Sequence, residues 1–169
     1  MATTYEIIAS VTVGSGGAAN MEFTSIPATY TDLFLVHSTR TSRAAYHESL
    51  LLSFNGSTAN RSNRRLYGNG QNAQSTTDTI MHGGQASGAT STSNTFGNSS
   101  VYIPNYTSSN NKSSSDDSVS EDNNTYAVAE MIANLWSNSA AITSITLTPE
   151  NGGTIQEHST AYLYGISNA

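Results

Sequence analysis

The fold is decided by the stretch Tyr126-Ala-Val-Ala-Glu-Met-Ile-Ala-Asn-Leu-Trp136 and by the two runs that follow it, Ser137-Asn-Ser-Ala-Ala-Ile-Thr-Ser-Ile-Thr-Leu-Thr148 and Ser159-Thr-Ala-Tyr-Leu-Tyr-Gly-Ile166. The three runs have the pattern of short strands, and polar, turn-forming residues such as Pro149-Glu-Asn-Gly-Gly153 separate them. The sequence shows no catalytic motif between the runs. This part of the chain therefore predicts a β-module with a binding or structural role.

The segment Ala127–Leu135 also has an alternative helical interpretation. Val128, Met131, Ile132 and Leu135 recur at helical spacing. The strand interpretation instead places Val128 and Ile132 on one face, with Met131 and Leu135 on the other. We favour the strand, because the rest of the chain has β-patterns and no capping box precedes this segment.

Other strand patterns occur before this stretch. They lie at Tyr5–Val13, Met21–Phe23, Leu33–Val36, Leu50–Phe54 and Val101–Ile103. With the C-terminal runs they make about eight strands, joined by connections that are long in the middle of the chain and short near its end. We therefore predict an all-β fold, specifically a jelly-roll-like antiparallel β-sandwich of about eight strands.

The length and the polar segments predict the domain organisation. A chain of 169 residues fits one domain, so we expect a single β-sandwich over residues 1–169. Three segments rich in small polar residues are expected to form long surface loops. They lie around residues 55–76, 83–100 and 107–125.

The composition excludes several classes of function. Only 11% of residues are charged, and 27 Ser, 22 Thr and 17 Asn supply most of the polarity. A net charge of −6 with one lysine argues against direct nucleic-acid binding, which depends on neutralising phosphates. The absence of cysteine excludes thiol catalysis and thiolate metal sites. No apolar run reaches the length of a membrane span, and the N-terminus has no signal-peptide pattern, so we expect synthesis in the cytoplasm without a membrane partner.

Motifs for catalysis or cofactor binding are missing. The four histidines, His37, His47, His82 and His158, have no metal-ligand spacing. The acidic pairs Asp116-Asp117 and Glu121-Asp122 lack EF-hand spacing, and we favour a solvated loop over a calcium site. The chain contains no Gly-x-Ser-x-Gly, Walker or Gly-x-Gly-x-x-Gly motif. We therefore predict no enzyme activity, no metal and no cofactor.

Two groups of residues are candidates for a protein interface. Arg61, Arg64 and Arg65 form a basic cluster in an acidic chain, and arginine pairs with carboxylates at interfaces. Tyr102 and Tyr106 lie in or beside a predicted strand, where a ring with a polar tip suits a subunit contact. The alternatives are a solvated loop for the arginines and an ordinary sheet surface for the tyrosines.

Several segments together resemble a family of small tailed-bacteriophage proteins, the jelly-roll capsid decoration, or cement, proteins. The segments are Phe23–Leu33, Leu52–Gly56, Ile103–Tyr106, Ala133–Trp136, Ala141–Ile145 and Leu163–Ile166. The resemblance implies a virion protein on the capsid surface that binds the major capsid protein and stabilises the shell. It also implies self-association, as a homotrimer, and carries no catalytic residues.

The sequence leaves two other functions open. The first is a tail-fibre or baseplate β-module that binds host carbohydrate, and the second is a carbohydrate-binding domain of a cellular protein. Sugar-binding modules usually display exposed aromatic platforms, whereas Trp136 ends an apolar run and is predicted to be packed. Fibre modules usually carry stalk repeats, and the sequence shows none.

Overall fold

The computed structural model describes residues 4–123 and 126–167. These residues form twelve β-strands and no helix, and the strands make two antiparallel sheets that pack as a β-sandwich. The all-β prediction is confirmed, and the segment around Ala127–Leu135 is a strand. The jelly-roll connectivity stays a prediction.

The strands are numbered in chain order. They are β1 Tyr5–Thr12, β2 Met21–Phe23, β3 Asp32–Thr39, β4 His47–Phe54, β5 Arg61–Gly68, β6 Ala73–Asp78, β7 His82–Ser87, β8 Gly97–Ile103, β9 Lys112–Ser120, β10 Val128–Trp136, β11 Ile145–Pro149 and β12 Thr160–Ile166. The large sheet has eight strands in the order β1-β12-β3-β8-β9-β10-β5-β6. The small sheet has four, in the order β2-β11-β4-β7.

The prediction of long loops was wrong, and so was the strand count of about eight. Strands β5 and β6 occupy most of 55–76, β7 and the start of β8 lie in 83–100, and β9 lies in 107–125. Residues 124 and 125 of the last segment lie outside the described residues. These strands lack apolar alternation, but β9 still alternates buried and exposed residues along its length. Polar side chains can occupy buried strand positions when neighbouring strands supply their hydrogen bonds.

The apolar core lies between the two sheets, and alternation along each strand builds it. In β10, Val128, Ile132 and Trp136 point inward, and the indole of Trp136 packs edge-on against the Phe54 ring with centroids 5.9 Å apart. Leu35 from β3 and Leu163 from β12 are fully buried. Burial of these side chains supplies the main driving force for packing the sheets.

Beside this core, the space between the sheets is filled by polar side chains. Asn134 on β10 donates from Nδ2 to the His82 carbonyl at 2.8 Å and to Asp116 Oδ2 at 3.0 Å. The Asn134 Oδ1 atom accepts from the His82 backbone N–H at 3.2 Å. Ser99 and Ser118 hydroxyls bond at 2.7 Å. Hydrogen-bonded networks of this kind stabilise a buried polar region that would otherwise be costly.

Three titratable side chains are buried in or beside this polar region. Burial raises the pKa of Asp116 well above its ordinary value, and hydrogen bonds from Ser114 and Asn134 only partly oppose this shift. Burial lowers the pKa of His37 and of His82 to about 4. His37 Nε2 lies 2.7 Å from the Gly83 carbonyl, so the neutral ring donates from Nε2. His37 and His82 are therefore held in their uncharged forms near neutral pH, and burial favours the protonated form of Asp116.

The first prediction compares the stability effect of truncating a core side chain with that of truncating a side chain on the exposed face of the large sheet. Leu35→Ala should lower the free energy of unfolding by about 2–5 kcal/mol, because it leaves a cavity in the core. Leu66→Ala, whose side chain is 60% exposed on β5, should change it by less than about 0.5 kcal/mol. Urea unfolding followed by fluorescence measures both values. Equal losses in the two variants would contradict this assignment of the core.

The second prediction concerns acid. The unfolded chain takes up protons at histidine near pH 6.5, whereas His37 and His82 in the folded protein stay neutral until about 4. Stability should therefore fall as the pH drops through this window, by about 3 kcal/mol for each histidine. The raised pKa of Asp116 acts in the opposite sense, because the folded protein holds that proton.

The variant His37→Gln isolates one histidine. Between pH 6.5 and 4, its free energy of unfolding should fall less steeply with decreasing pH than that of the wild type, by the equivalent of about one proton. Urea titration at a series of pH values measures this slope. An unchanged slope in this variant would show that His37 takes up its proton equally in the folded and unfolded states.

Candidate functional site

The outer face of the large sheet, the face that points away from the small sheet, carries most of the exposed apolar side chains. Ten large hydrophobic side chains are exposed among the described residues, and eight of them lie on this face. The eight are Tyr5, Ile7, Leu66, Tyr102, Val119, Met131, Leu135 and Tyr162. The other two, Tyr46 and Tyr126, stack on each other with ring centroids 5.5 Å apart. Exposed apolar side chains gathered on one surface mark an interaction site.

Strand register makes this face continuous from one edge of the sheet to the other. One row of directly opposed residues crosses all eight strands: Ser10, Tyr162, Val36, Ser100, Asp117, Met131, Leu66 and Ser75. Directly opposed side chains in antiparallel strands lie on the same face, close enough to contact each other. The row therefore forms one surface, although its residues are scattered through the sequence.

One side of the outer face is aromatic. The aromatic patch consists of Tyr5, Phe34, Tyr102 and Tyr164, and the rings of Tyr5 and Phe34 meet edge-on with centroids 6.2 Å apart. The Tyr102 hydroxyl donates to Asp32 Oδ2 at 2.9 Å. That hydrogen bond, together with desolvation, raises the pKa of Tyr102. These contacts fix the positions of the Tyr5, Phe34 and Tyr102 rings on the face.

The other side of the outer face is aliphatic. The aliphatic patch consists of Leu66, Met131 and Leu135, with Leu66 60% and Met131 67% exposed. Leu66 and Met131 are directly opposed on β5 and β10. A shallow depression of about 420 Å³ lies beside the aromatic patch, on strands β12, β3, β8 and β9, and its lining includes Asp117 and Tyr162. The face therefore offers two apolar patches on different strands, with the depression next to the aromatic one.

The structure divides the predicted arginine cluster between the two faces of β5. Arg64 is exposed on the outer face, next to the aliphatic patch. Arg65 points inward, and its Nη2 atom lies 2.7 Å from Oε2 of Glu130, whose side chain is fully buried. Arg61 is partly buried at the start of the strand. Alternation along a strand separates neighbouring side chains, so Arg65 has a structural partner and Arg64 remains available for an interface.

The two tyrosine candidates also have different positions. Tyr102 lies on the outer face and is 37% exposed. Tyr106 is fully buried, so its prediction as an interface residue was wrong. Its hydroxyl donates to the Pro27 carbonyl and accepts from the Tyr30 backbone N–H at 3.4 Å. The turn after β8 brings this ring into the core, where its hydroxyl finds backbone partners.

Sequence reasoning missed the aliphatic patch. One feature of the sequence could have indicated this patch: β10 has apolar residues on both faces, because Met131 and Leu135 alternate with inward-facing Ile132 and Trp136. Two apolar faces predict a strand covered on both sides. In the structure only one side of β10 is covered, and Met131 lies open to solvent.

Comparison of the chain with protein-family models, with curated proteins and with solved structures gives no match. The resemblance to phage decoration proteins therefore stays a prediction. Within residues 4–123 and 126–167, no three His, Cys, Asp or Glu side chains are grouped so that they could hold a metal ion. The same residues contain no helix long and apolar enough to cross a membrane.

The third prediction distinguishes the two adjacent arginines. Arg65→Ala should lower the free energy of unfolding by about 3 kcal/mol, because it leaves the buried Glu130 carboxylate without its ion-pair partner. Arg64→Ala, the matched control, should change stability by less than about 0.5 kcal/mol. Thermal and urea unfolding measure both. If Arg64→Ala were the more destabilising change, the assigned directions of these side chains would be wrong.

Proposed function

We propose that this chain is a non-enzymatic structural protein of a tailed-bacteriophage virion. It binds the outside of the assembled capsid shell through the outer face and stabilises the shell as a decoration protein. It is made in the host cytoplasm and acts on the virion, with the major capsid protein as its partner. It binds no nucleic acid directly and changes no substrate.

The observation that carries this proposal is the concentration of exposed apolar side chains on the outer face. Eight of the ten exposed large hydrophobic side chains among the described residues lie there, spread over the large sheet from β1 to β5. A broad, shallow surface of this kind suits a flat protein partner better than a small ligand, which normally binds in a concave pocket. The resemblance seen in the sequence points to the same class of partner.

The physical mechanism is mass action. A protein that binds the closed shell, and not its open or dissociated forms, shifts the equilibrium toward the closed shell. Each copy contributes little, but many copies on one particle add their contributions. Contact through Leu66 and Met131 would remove two exposed apolar side chains from water, which favours binding without any chemical step.

A second candidate function rests on the depression beside the aromatic patch. Its lining combines the Tyr162 ring with the Asp117 carboxylate, the Asn98 amide and the Ser100 hydroxyl. An aromatic surface beside hydrogen-bonding groups is the chemistry that recognises sugars. This favours the alternative of a tail-fibre or baseplate module that binds host carbohydrate. The single tryptophan does not contribute, because Trp136 is only 2% exposed and packs in the core.

The fourth prediction tests the shell-binding proposal with virions that lack the protein. We expect these particles to assemble and then to release DNA at a lower temperature than complete virions. Purified wild-type protein should restore the higher release temperature when it is added back. DNA release on heating, followed with an intercalating dye, measures this directly.

Two variants test whether the aliphatic patch is the surface through which the added protein restores the release temperature. Met131→Glu places a charge in the aliphatic patch at a 67% exposed position, so the fold should be preserved while rescue is lost. Thr24→Glu adds the same charge at an exposed position after β2 and should rescue as well as the wild type. Equal release temperatures with and without the protein would overturn the decoration role. Loss of host attachment in those particles would favour the carbohydrate-binding alternative.

A further inference from the structure

The two sheets have four edge strands among the described residues, and three of them are protected against pairing with another chain. Strand β1 is interrupted by a bulge between Ile7 and Ala9, and β2 is only three residues long. Strand β7 is buried at every residue. Short length, bulges and burial are the features by which proteins prevent edge-to-edge association.

The fourth edge strand, β6, has none of these features. All six of its residues are exposed, and its pairing with β5 is regular from Ala73 to Asp78. It contains no lysine, no proline and no bulge. Such a strand presents a row of unpaired backbone N–H and C=O groups to an incoming strand.

We propose that β6 is a self-association edge, at which two copies of this chain pair antiparallel about a twofold axis through Thr76. The two large sheets then join into one continuous sheet. This inference stands independently of the shell-binding proposal, because it concerns an edge of the sheet and not its outer face. It gives a dimer in place of the homotrimer expected from the family resemblance.

The side chains of β6 favour this register. Register with β5 places Ser75 and Thr77 on the outer face, and Gln74, Thr76 and Asp78 on the inner face. A twofold axis through Thr76 sets outer residues opposite outer residues, with Ser75 facing Thr77 of the other copy. Thr76 faces its own equivalent. Pairs of hydroxyl side chains across antiparallel strands are stabilising.

The same axis places Gln74 of each copy opposite Asp78 of the other. Gln74 Oε1 accepts from the Tyr67 hydroxyl at 2.5 Å. This bond uses the amide oxygen of Gln74, so its amide NH₂ group is left as a donor. Asp78 Oδ1 accepts from the Thr79 backbone N–H at 2.6 Å. Its other carboxylate oxygen can accept from the Gln74 amide of the second copy. No like charges meet across the seam formed by residues 74–78.

Sedimentation of the full chain over a range of concentrations tests the pairing. We expect a reversible monomer–dimer equilibrium in the wild type. Thr76→Lys places two positive charges together on the axis and should shift the chain to monomer. Ser10→Lys adds the same charge at an exposed position on the β1 edge and should leave the dimer intact.

Two substitutions at one position test the register itself. Gln74→Glu places a carboxylate opposite Asp78 and should weaken the dimer, whereas Gln74→Lys places an opposite charge there and should strengthen it. With two such pairs in each dimer, we expect Kd to change by about tenfold in each direction. Near-identical circular dichroism spectra of these variants would show that the fold is preserved.

Three results would overturn the proposal. They are a wild type that stays monomeric at near-millimolar concentration, a trimer that forms without a dimer, and a dimer that Thr76→Lys leaves unchanged. Equal effects of Gln74→Glu and Gln74→Lys on Kd would exclude the register centred on Thr76.

Discussion

The register between β9 and β10 is the constraint on which both faces of the large sheet depend. The two strands pair along their full length of nine residues each. Asn134 secures this register, because its amide donates to Asp116 on β9 and to the His82 carbonyl on the small sheet. A slip of one residue would exchange Asp116 with Asp117, and would turn every inner side chain of β9 outward. The polar network thus fixes which side chains form the outer face.

The unequal size of the two sheets determines which surfaces stay open. The four-stranded sheet is too small to cover the whole eight-stranded sheet, and it does not extend over β6. The residues of β6 are therefore exposed on both faces. The outer face has no covering layer among the described residues, although Met131 and Leu66 on it are apolar. One feature of the architecture therefore produces two separate surfaces for association, a broad face and an open edge.

The scarcity of charge affects how such surfaces can bind. Only 11% of residues are charged, and on the row across the outer face the charged residue is Asp117. Electrostatic steering over long distances is weak for a surface of this kind. Binding would depend on shape, apolar contact and short-range hydrogen bonds. Hydroxyl-rich strands such as β6 suit that mode, because their side chains can pair without bringing like charges together.

The period-2 pattern of the sequence determined the all-β class and the strands in which apolar and polar residues alternate. It identified β10 as a strand and predicted correctly that Trp136 is packed. It also placed Tyr102 in a strand, where its ring lies on the outer face. These properties are local, because side chains alternate between faces in every strand whatever its neighbours are.

Only the tertiary structure decided which polar residues are buried and which apolar residues are exposed. The sequence predicted a loop over β9, yet Asp116 lies between the sheets, where Asn134 on the paired strand β10 supplies a hydrogen bond. Arg65 and Tyr106 do not belong to the predicted interface, because each bonds a partner inside the fold, Glu130 and Pro27 respectively. Both partners lie far away along the chain. Burial depends on which strands pair and on what covers them. Those relations join remote segments, and no local pattern of residue types encodes them.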